Sequence, residues 1–387
     1  MQTKASSRLD PHDLLQAARE LTGLDDLGEP DISEGLAVLT ASYLNEARLS
    51  AQGIENQRAS LIGQLANRLR ITETFKQQPQ ILHEEIRGPI IIIGLPRSGT
   101  TKLQRMMAAN PELQKLPLWR ILNPAPMLPG QADTRVAIAE QTAAAMKQYF
   151  PDFIAGHSMD TQDADEEVFM AELVMRGWNP TYTAQTPSFD AWLGQQDFDI
   201  WYAYLRKLLQ MFQWQDGSPQ QAWLLKTCEH MPWISELARH FPGATLVHCH
   251  RDPVTSITSI AALATASRRM HSDNVDPVEV GRWVIEHWSG HMQRYLRHRP
   301  ALEGALRFVD VGYKEITGDA ITAIERILQC AGLTVSAPAR AAMLQWEADN
   351  PPGKHGQHRY DMATHGYTEA EIRAAFSEYR QRFGAFI

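Results

Sequence analysis

The stretch that decides the fold is Pro89-Ile-Ile-Ile-Ile93-Gly94-Leu-Pro-Arg-Ser-Gly-Thr-Thr101. It begins with a short run of β-branched residues, which is typical of a strand buried on both faces of a sheet. It continues into a loop with two glycines, and residues Lys102 to Ala109 then follow helical spacing. A strand, a glycine-containing loop and a helix in this order predict a phosphate-binding loop in an α/β protein.

The side chains of this loop favour an anionic ligand. The glycines allow backbone N–H groups to turn inward, and the N-terminus of the following helix adds about half a positive charge. Arg97 supplies a guanidinium, and Ser98, Thr100 and Thr101 carry hydroxyls that can donate to phosphate oxygens. A nucleotide triphosphatase loop would place a lysine where Thr100 stands, so this loop departs from that class. The alternative interpretation is a turn that only joins a strand to a helix.

Further strands and helices alternate along the rest of the chain. Strands are predicted at Ala222–Leu225, Thr245–Cys249 and Leu306–Val309. Helices are predicted between or after them, at 233–240, 253–269, 278–297, 319–330 and 368–383. This alternation indicates an α/β fold whose P-loop-type parallel sheet is flanked by helices. We expect a helical N-terminal region over residues 1–85 and an α/β domain over 86–387, with a mostly helical insertion at about 110–221.

The N-terminal region carries helix signals and no chemical motif. Asp10 is a predicted N-cap, and Gly23 closes the first helix. Asp31 with Glu34 resembles a capping box before a second helix, and a third helix is predicted from Asn56 to Leu69. Nothing in this region is typical of a site.

Composition narrows the class of protein. Hydrophobic residues make up 44% of the 387 residues and charged residues 21%, which excludes a disordered chain. The 37 basic and 45 acidic residues give a net charge of −8, which argues against a protein that mainly binds nucleic acid or anionic lipid. Three cysteines cannot form a disulfide framework. With no apolar segment typical of a secretory signal or a membrane span, we expect a cytoplasmic protein without membrane insertion.

Two motifs together resemble those of the sulfotransferases. Gly94-Leu-Pro-Arg-Ser-Gly-Thr-Thr101 resembles the loop with which this family binds the 5′-phosphosulfate of 3′-phosphoadenosine 5′-phosphosulfate (PAPS). In the family, an arginine after a later strand and a serine eight residues further on hold the 3′-phosphate. Arg251 and Ser259 have this spacing behind the strand Thr245–Cys249. The resemblance extends from about residue 88 to residue 330.

Two weaker matches complete the resemblance. Lys226 follows a predicted strand, where many sulfotransferases carry a lysine beside the transferring sulfuryl group. Tyr313 resembles a tyrosine that lies near the adenine.

The resemblance implies a metal-independent, in-line transfer of a sulfuryl group from PAPS to a hydroxyl or amine, with adenosine 3′,5′-bisphosphate as product. The acceptor would be a small molecule, a lipid or a glycan. Arg97 and Lys226 would neutralise charge on the transferring group. The residues expected to bind the cofactor are Arg97, Ser98, Gly99, Thr100, Thr101, Arg251, Ser259 and Tyr313.

The base that removes the acceptor proton has two candidates. His230, in Lys226-Thr-Cys-Glu-His-Met-Pro232, resembles a histidine of the cytosolic sulfotransferases, although two residues are inserted before it. Glu166 and Glu167 belong to an acidic cluster that opens a predicted helix, and His157 precedes them by nine residues or more. The alternatives are a surface or capping role for His230 and a helix-dipole role for the acids.

Other interpretations stay open at this stage. The chain could be a P-loop kinase or nucleotide hydrolase, or a nucleotide-binding protein without catalysis on the same fold. His248 and His250 share one face of a strand, but no third ligand is evident, so we predict no metal site. Lys354 or Arg359 could close over the 3′-phosphate, or lie in a solvated basic loop. Five tryptophans in the insertion could line an acceptor pocket or belong to the core.

Overall fold

A five-stranded parallel sheet forms the centre of the protein. The computed structural model describes residues 8–127, 130–151, 154, 159–351 and 361–387. Within these residues the sheet has the strand order β2-β3-β1-β4-β5, and all of its pairings are parallel. The strands are β1 (Ile90–Gly94), β2 (Leu113–Lys115), β3 (Ala222–Lys226), β4 (Thr245–His250) and β5 (Arg307–Gly312). This arrangement confirms the predicted α/β class.

Four strands agree with the sequence prediction to within about three residues at each end, and one was not predicted. Strand β2 pairs with β3 through Leu113 and Lys115, opposite Ala222 and Leu224. Its sequence, Leu-Gln-Lys, has neither an apolar run nor a recognisable alternation. The pairing therefore depends on the neighbouring strand, and the mostly helical insertion also contributes this edge strand to the sheet.

The strand order brings the predicted motifs to one edge of the sheet. Strand β1 lies between β3 and β4, and Ile92 is opposite both Lys226 and Val247. Because the strands are parallel, their carboxyl ends meet at the same edge, where ligands bind in open α/β sheets. The loop after β1, Lys226 at the end of β3 and Arg251 after β4 all lie there.

Three α-helices of the described residues lie before the sheet: α1 (Pro11–Thr22), α2 (Ser33–Asn45) and α3 (Ala51–Gln77). Asp10 caps α1 by accepting hydrogen bonds from the amides of His12 and Asp13, as predicted. The capping box predicted before α2 is wrong, because Ile32 is the N-cap and Asp31 accepts hydrogen bonds from Ser33 instead. Helix α3 is longer than predicted at both ends.

The helices after β1 cover both faces of the sheet and build the insertion. They are α4 (Thr100–Ala108), α5 (Leu118–Leu122), α6 (Arg135–Tyr149), α7 (Asn179–Thr183), α8 (Pro187–Leu193), α9 (Asp199–Gln215), α10 (Ile234–His240), α11 (Pro253–Arg269), α12 (Pro277–His298), α13 (Tyr313–Gly318), α14 (Ala320–Cys330), α15 (Ala337–Asp349), α16 (Glu369–Ala375) and α17 (Ser377–Phe383). Two 3₁₀ helices, Glu167–Val174 and Cys228–Trp233, contribute to the site described below.

The hydrophobic core is continuous from the N-terminal helices to one face of the sheet. One cluster of buried residues includes Leu9 and Leu36 together with Ile91 and Ile93 of β1. A second cluster lies on the other face, around Ile90 and Ile92. The division of the chain near residue 86 stays a prediction. Among the described residues, no helix is both long enough and apolar enough to cross a membrane.

Candidate active site

The loop between β1 and α4 requires its glycines. Gly94 has φ 145°, and a Cβ there would lie 2.4 Å from the carbonyl oxygen of Cys249. Gly99 has φ 92° and directly precedes Thr100, the first residue of α4. Arg97 also has a positive φ, of 67°, which is uncommon for a residue with a side chain and is typical of functional loops.

The loop presents hydrogen-bond donors and positive charge to a cavity. The first amides of α4 have no acceptor within the helix, so they are available to an anion. Arg97, Thr100 and Thr101 line the cavity, and Arg251 reaches it from the start of the neighbouring loop. The Ser98 hydroxyl is buried beneath the loop, away from the cavity lining, and has no hydrogen-bond partner among the described residues. The donors that face the cavity, namely the first amides of α4 with the side chains of Arg97, Thr100, Thr101 and Arg251, fit a phosphate group.

The side chains predicted to bind the 3′-phosphate and adenine form one connected group. Nε of Arg97 donates a hydrogen bond to Oγ of Ser259 over 3.2 Å. Nη1 of Arg251 donates to the carbonyl oxygen of Arg97 over 2.6 Å. The Arg251 guanidinium lies 3.8 Å from the centre of the Tyr313 ring, a cation–π contact. Burial lowers the pKa of Arg251. The Tyr313 side chain opposes this decrease in pKa, and the positive charge of Arg97 adds to the decrease.

Lys226 lies between two residues of the cavity wall. Its Nζ donates a hydrogen bond to Oγ1 of Thr101 over 3.3 Å and is ion-paired with the carboxylate of Glu166. Its side chain is 2% exposed, and burial alone would lower its pKa. The Glu166 carboxylate, together with Cys228 and Asp165, outweighs burial, so the pKa is raised. The ammonium is therefore charged and held beside the loop.

The two candidate bases predicted from the sequence contact each other. Nε2 of His230 lies 2.8 Å from Oε1 of Glu167, and Nδ1 of His230 lies 2.9 Å from the hydroxyl of Tyr202. Oε2 of Glu167 accepts a hydrogen bond from the backbone N–H of Lys226 over 3.0 Å. His230 and Glu167 are almost completely buried, and neither lines the cavity. His230 is thus neither a surface nor a helix-capping residue.

The cavity has a volume of about 560 Å³ and extends from the loop to the N-terminal helices. Its wall includes Glu166 and Glu229 near the ends of the strands, and Tyr43 and Gln64 on α2 and α3. The sequence predicted no site residue on those helices, yet both of them contribute to the cavity wall. Their polar side chains carry no local motif, because the packing of distant segments brings them to the wall.

The structure decides between the two interpretations of the tryptophans of the insertion. Trp178 and Trp201 are buried, and none of the five tryptophans of the insertion lines the cavity. The aromatic side chains that line the cavity are instead those of Tyr43, Phe169, Tyr182, Trp288 and Tyr313. Trp178 and Trp201 belong to the core, and Trp192 and Trp214 pack against it.

Two buried clusters join histidines to a carboxylate. Asp310 lies 2.9 Å from Nε2 of His250 and is ion-paired with Arg299 over 2.6 Å. Asp310 is the third potential metal ligand that the sequence did not show beside His248 and His250. The negative charge of Asp310 is already balanced by Arg299. Glu229 lies 3.3 Å from both His287 and His291 and was also missed. His157, Lys354 and Arg359 lie outside the described residues.

Comparison with known proteins agrees with this architecture. The model of the sulfotransferase family matches residues 89–337, which is more than half of the chain. Sulfotransferase STF1 from Mycobacterium tuberculosis H37Rv is 27% identical, with a TM-score of 0.78 over 95% of this chain and 98% of its own. Sulfotransferase STF9 from Mycobacterium avium has a TM-score of 0.86 at 23% identity over 96% of each chain. No curated protein matches the chain significantly.

The chain belongs to the sulfotransferase family. The resemblance drawn from the loop and from Arg251 is thereby confirmed, and the fold is that of the solved sulfotransferases. In general terms the protein is a transferase of sulfuryl groups.

Proposed function

We propose that this protein transfers a sulfuryl group from PAPS to a hydroxyl or amine of an acceptor bound in the cavity. The observation that carries the proposal is the meeting of two groups at one edge of the sheet. The cationic group of Arg97 and Arg251 lies beside the loop, and the pair Lys226 and Glu166 lies next to it. Arg97 and Arg251 suit the binding of a bisphosphate nucleotide. Lys226 and Glu166 suit the transfer of a sulfuryl group.

The nucleotide would be held by residues that already touch one another. The amides of residues 98–101 and the Arg97 guanidinium would bind the 5′-phosphate. Arg251 and Ser259 would bind the 3′-phosphate, and Tyr313 would lie against the adenine. The support for this assignment is the contact of Arg97 with Ser259 and of Arg251 with Tyr313.

When bound, PAPS supplies the sulfuryl group, which bonds to the acceptor oxygen as its bond to the 5′-phosphate breaks. Lys226 would donate a hydrogen bond to the leaving phosphate oxygen, and Arg97 would neutralise the equatorial oxygens. These fixed cations act without a metal ion. The support is the position of Lys226 Nζ, 3.3 Å from Thr101 at the start of α4.

Glu166 is the proposed acceptor of the proton. It is the carboxylate that both lines the cavity and contacts Lys226. We propose positioning roles for His230 and Glu167, which lie behind Lys226. Glu167 accepts a hydrogen bond from the backbone N–H of Lys226, and His230 is hydrogen-bonded to Glu167. The pair therefore fixes the end of β3.

Nucleotide preference distinguishes this function from the two alternatives. Titration calorimetry should show tight binding of adenosine 3′,5′-bisphosphate in the presence of a chelator, and weaker binding of Mg-ATP. A preference for Mg-ATP would favour a kinase or hydrolase instead. A protein that binds the bisphosphate without catalysing any transfer would favour the non-catalytic alternative.

A further inference from the structure

A polar cluster interrupts the apolar wall of the cavity away from the phosphate loop. It contains Tyr43 from α2, Gln64 from α3, Glu172 from the 3₁₀ helix Glu167–Val174, and Asn179 with Thr183 from α7. Gln64 Nε2 donates a hydrogen bond to Oε2 of Glu172. Four separate segments of the chain therefore meet at this cluster, which contains the carboxyl group of Glu172.

The carboxyl group of Glu172 is incompletely satisfied. Glu172 is 6% exposed and lines the cavity, and its Oε1 has no hydrogen-bond partner among the described residues. Burial raises its pKa to about 7, although the side chains of Asn179 and Gln64 oppose the change. A buried acceptor without a partner destabilises the protein, and a ligand that donates to it would remove that cost.

Glu172 stands at a defined distance from the proposed proton acceptor. Glu166 directly precedes the 3₁₀ helix. Glu172 lies within that helix, six residues after Glu166. At about 2 Å of rise per residue, the two Cα atoms are separated by roughly 12 Å along the helix. Val168 and Phe169 line the cavity between them, and Ile260 and Leu263 of α11 contribute apolar surface elsewhere in its wall. The wall is therefore polar at both ends and apolar between.

We propose that Glu172 recognises a hydroxyl group at the far end of an elongated, apolar acceptor. The other end of the acceptor carries the group that is sulfated beside Glu166. The hydroxyl donates its hydrogen bond to Oε1 of Glu172, and the apolar body lies along Val168 and Phe169. The position of the sulfated end rests on the proposed function; recognition by Glu172 does not require transfer to occur.

The test compares two alcohols of nearly equal size. Octanediol carries a hydroxyl at each end, and nonanol replaces one of these hydroxyls by a methyl group. Calorimetry, with adenosine 3′,5′-bisphosphate present, gives the dissociation constant of each alcohol. The ratio of the nonanol constant to the octanediol constant measures recognition of the second hydroxyl. A site built to hydrogen-bond a hydroxyl discriminates strongly against the analogue that lacks it.

Substitutions at Glu172 should change this ratio selectively. Glu172→Leu should lower it about ten-fold or more, because leucine cannot accept the hydrogen bond. Glu172→Gln should keep most of the ratio, because its amide oxygen still accepts. Glu112→Leu, at an exposed glutamate that does not line the cavity, should leave it unchanged. Bisphosphate affinity and thermal unfolding show whether each variant is folded. If Glu172→Leu does not fold, Glu172→Met replaces it in the comparison.

The inference is overturned if the ratio is the same in wild type and Glu172→Leu, or if neither alcohol binds. The proposed function fails in a different way: PAPS is not consumed when octanediol is bound. Binding and transfer are measured separately, so either result can occur without the other.

Discussion

His230 and Glu167 are hydrogen-bonded to each other, with 2.8 Å between Nε2 and Oε1, in a part of the protein that is closed to the cavity. The sequence presents them as competing candidates for the base. In the structure they form one unit, in which Glu167 accepts a hydrogen bond from the backbone N–H of Lys226 and His230 contacts the hydroxyl of Tyr202. The neighbouring carboxylate, Glu166, lines the cavity and pairs with the Lys226 ammonium. We propose proton transfer for Glu166 and a positioning role for His230 and Glu167. The predictions for the two glutamates therefore differ.

Glu166→Gln should lower the turnover number by roughly 10²–10⁴-fold, because an amide keeps the size of the side chain but cannot take a proton. Bisphosphate affinity should change little, since Glu166 is not part of the nucleotide group. The measurement is the rate of sulfated-product formation. A variant with normal turnover would exclude Glu166 as the base.

His230→Ala should behave differently from Glu166→Gln. It leaves the buried Glu167 carboxylate without one partner, which should cost about 1–3 kcal/mol of unfolding free energy. Turnover should fall because the end of β3 is less well fixed, but by less than in Glu166→Gln. Urea unfolding and the rate of sulfated-product formation test this together. A variant of normal stability whose turnover falls as far as that of Glu166→Gln would identify His230 as the base instead.

Arg251→Ala should weaken binding of adenosine 3′,5′-bisphosphate much more than binding of adenosine 5′-phosphate. The expected difference is about 1.5–3 kcal/mol, which is typical of a hydrogen bond to a charged group. Titration calorimetry with both nucleotides gives the comparison. Arg340→Ala is the control, because Arg340 is exposed, pairs with Glu325 and does not line the cavity. Equal losses for the two nucleotides would contradict the assignment of the 3′-phosphate to Arg251.

Glu172 should make stability depend on pH. Its pKa is about 7 in the folded protein against an ordinary value of 4.5. Between these pH values the folded state keeps a proton that the unfolded state releases, so stability falls as the pH rises from about 4.5 to about 7. Above that range the penalty is constant, at roughly 3 kcal/mol.

Glu172→Gln removes this penalty. The free energy of unfolding in urea, taken as the variant minus wild type, should therefore be larger at about pH 8 than at about pH 5. Glu112→Gln, at the exposed position used above, should show no such change. The same difference at both pH values would show that Glu172 does not titrate in this way.

Much of the sheet could be predicted because its strands carry strong local signals. Ile90 to Ile93 form a continuous β-branched run, and β4 leads directly into a helix that begins with Asp252 and Pro253. Asp252 accepts a hydrogen bond from the amide of Val254, as expected of an N-cap. Strand β2 could not be predicted, because three residues without an apolar pattern become a strand only through pairing with β3.

The nucleotide side of the site was easier to predict than the acceptor side. Arg97 lies within one short motif, and Arg251 with Ser259 lies within another, so each group can be read from neighbouring residues. Gln64 and Glu172 are 108 residues apart and meet only when α3 packs against the insertion. Glu166 and Glu167 are adjacent in sequence, yet their side chains reach different environments. Tertiary packing alone decides which of them lines the cavity.

The central claim is tested most directly by following a radiolabelled sulfuryl group from PAPS. The wild-type protein, with a chelator present, is incubated with PAPS and a fractionated metabolite extract, and products are identified by mass spectrometry. The label should move to an organic product as adenosine 3′,5′-bisphosphate forms. Lys226→Ala should transfer far less while its bisphosphate affinity stays within a few-fold. Label that stays in PAPS with every fraction, or transfer that is unchanged in Lys226→Ala, would contradict the account.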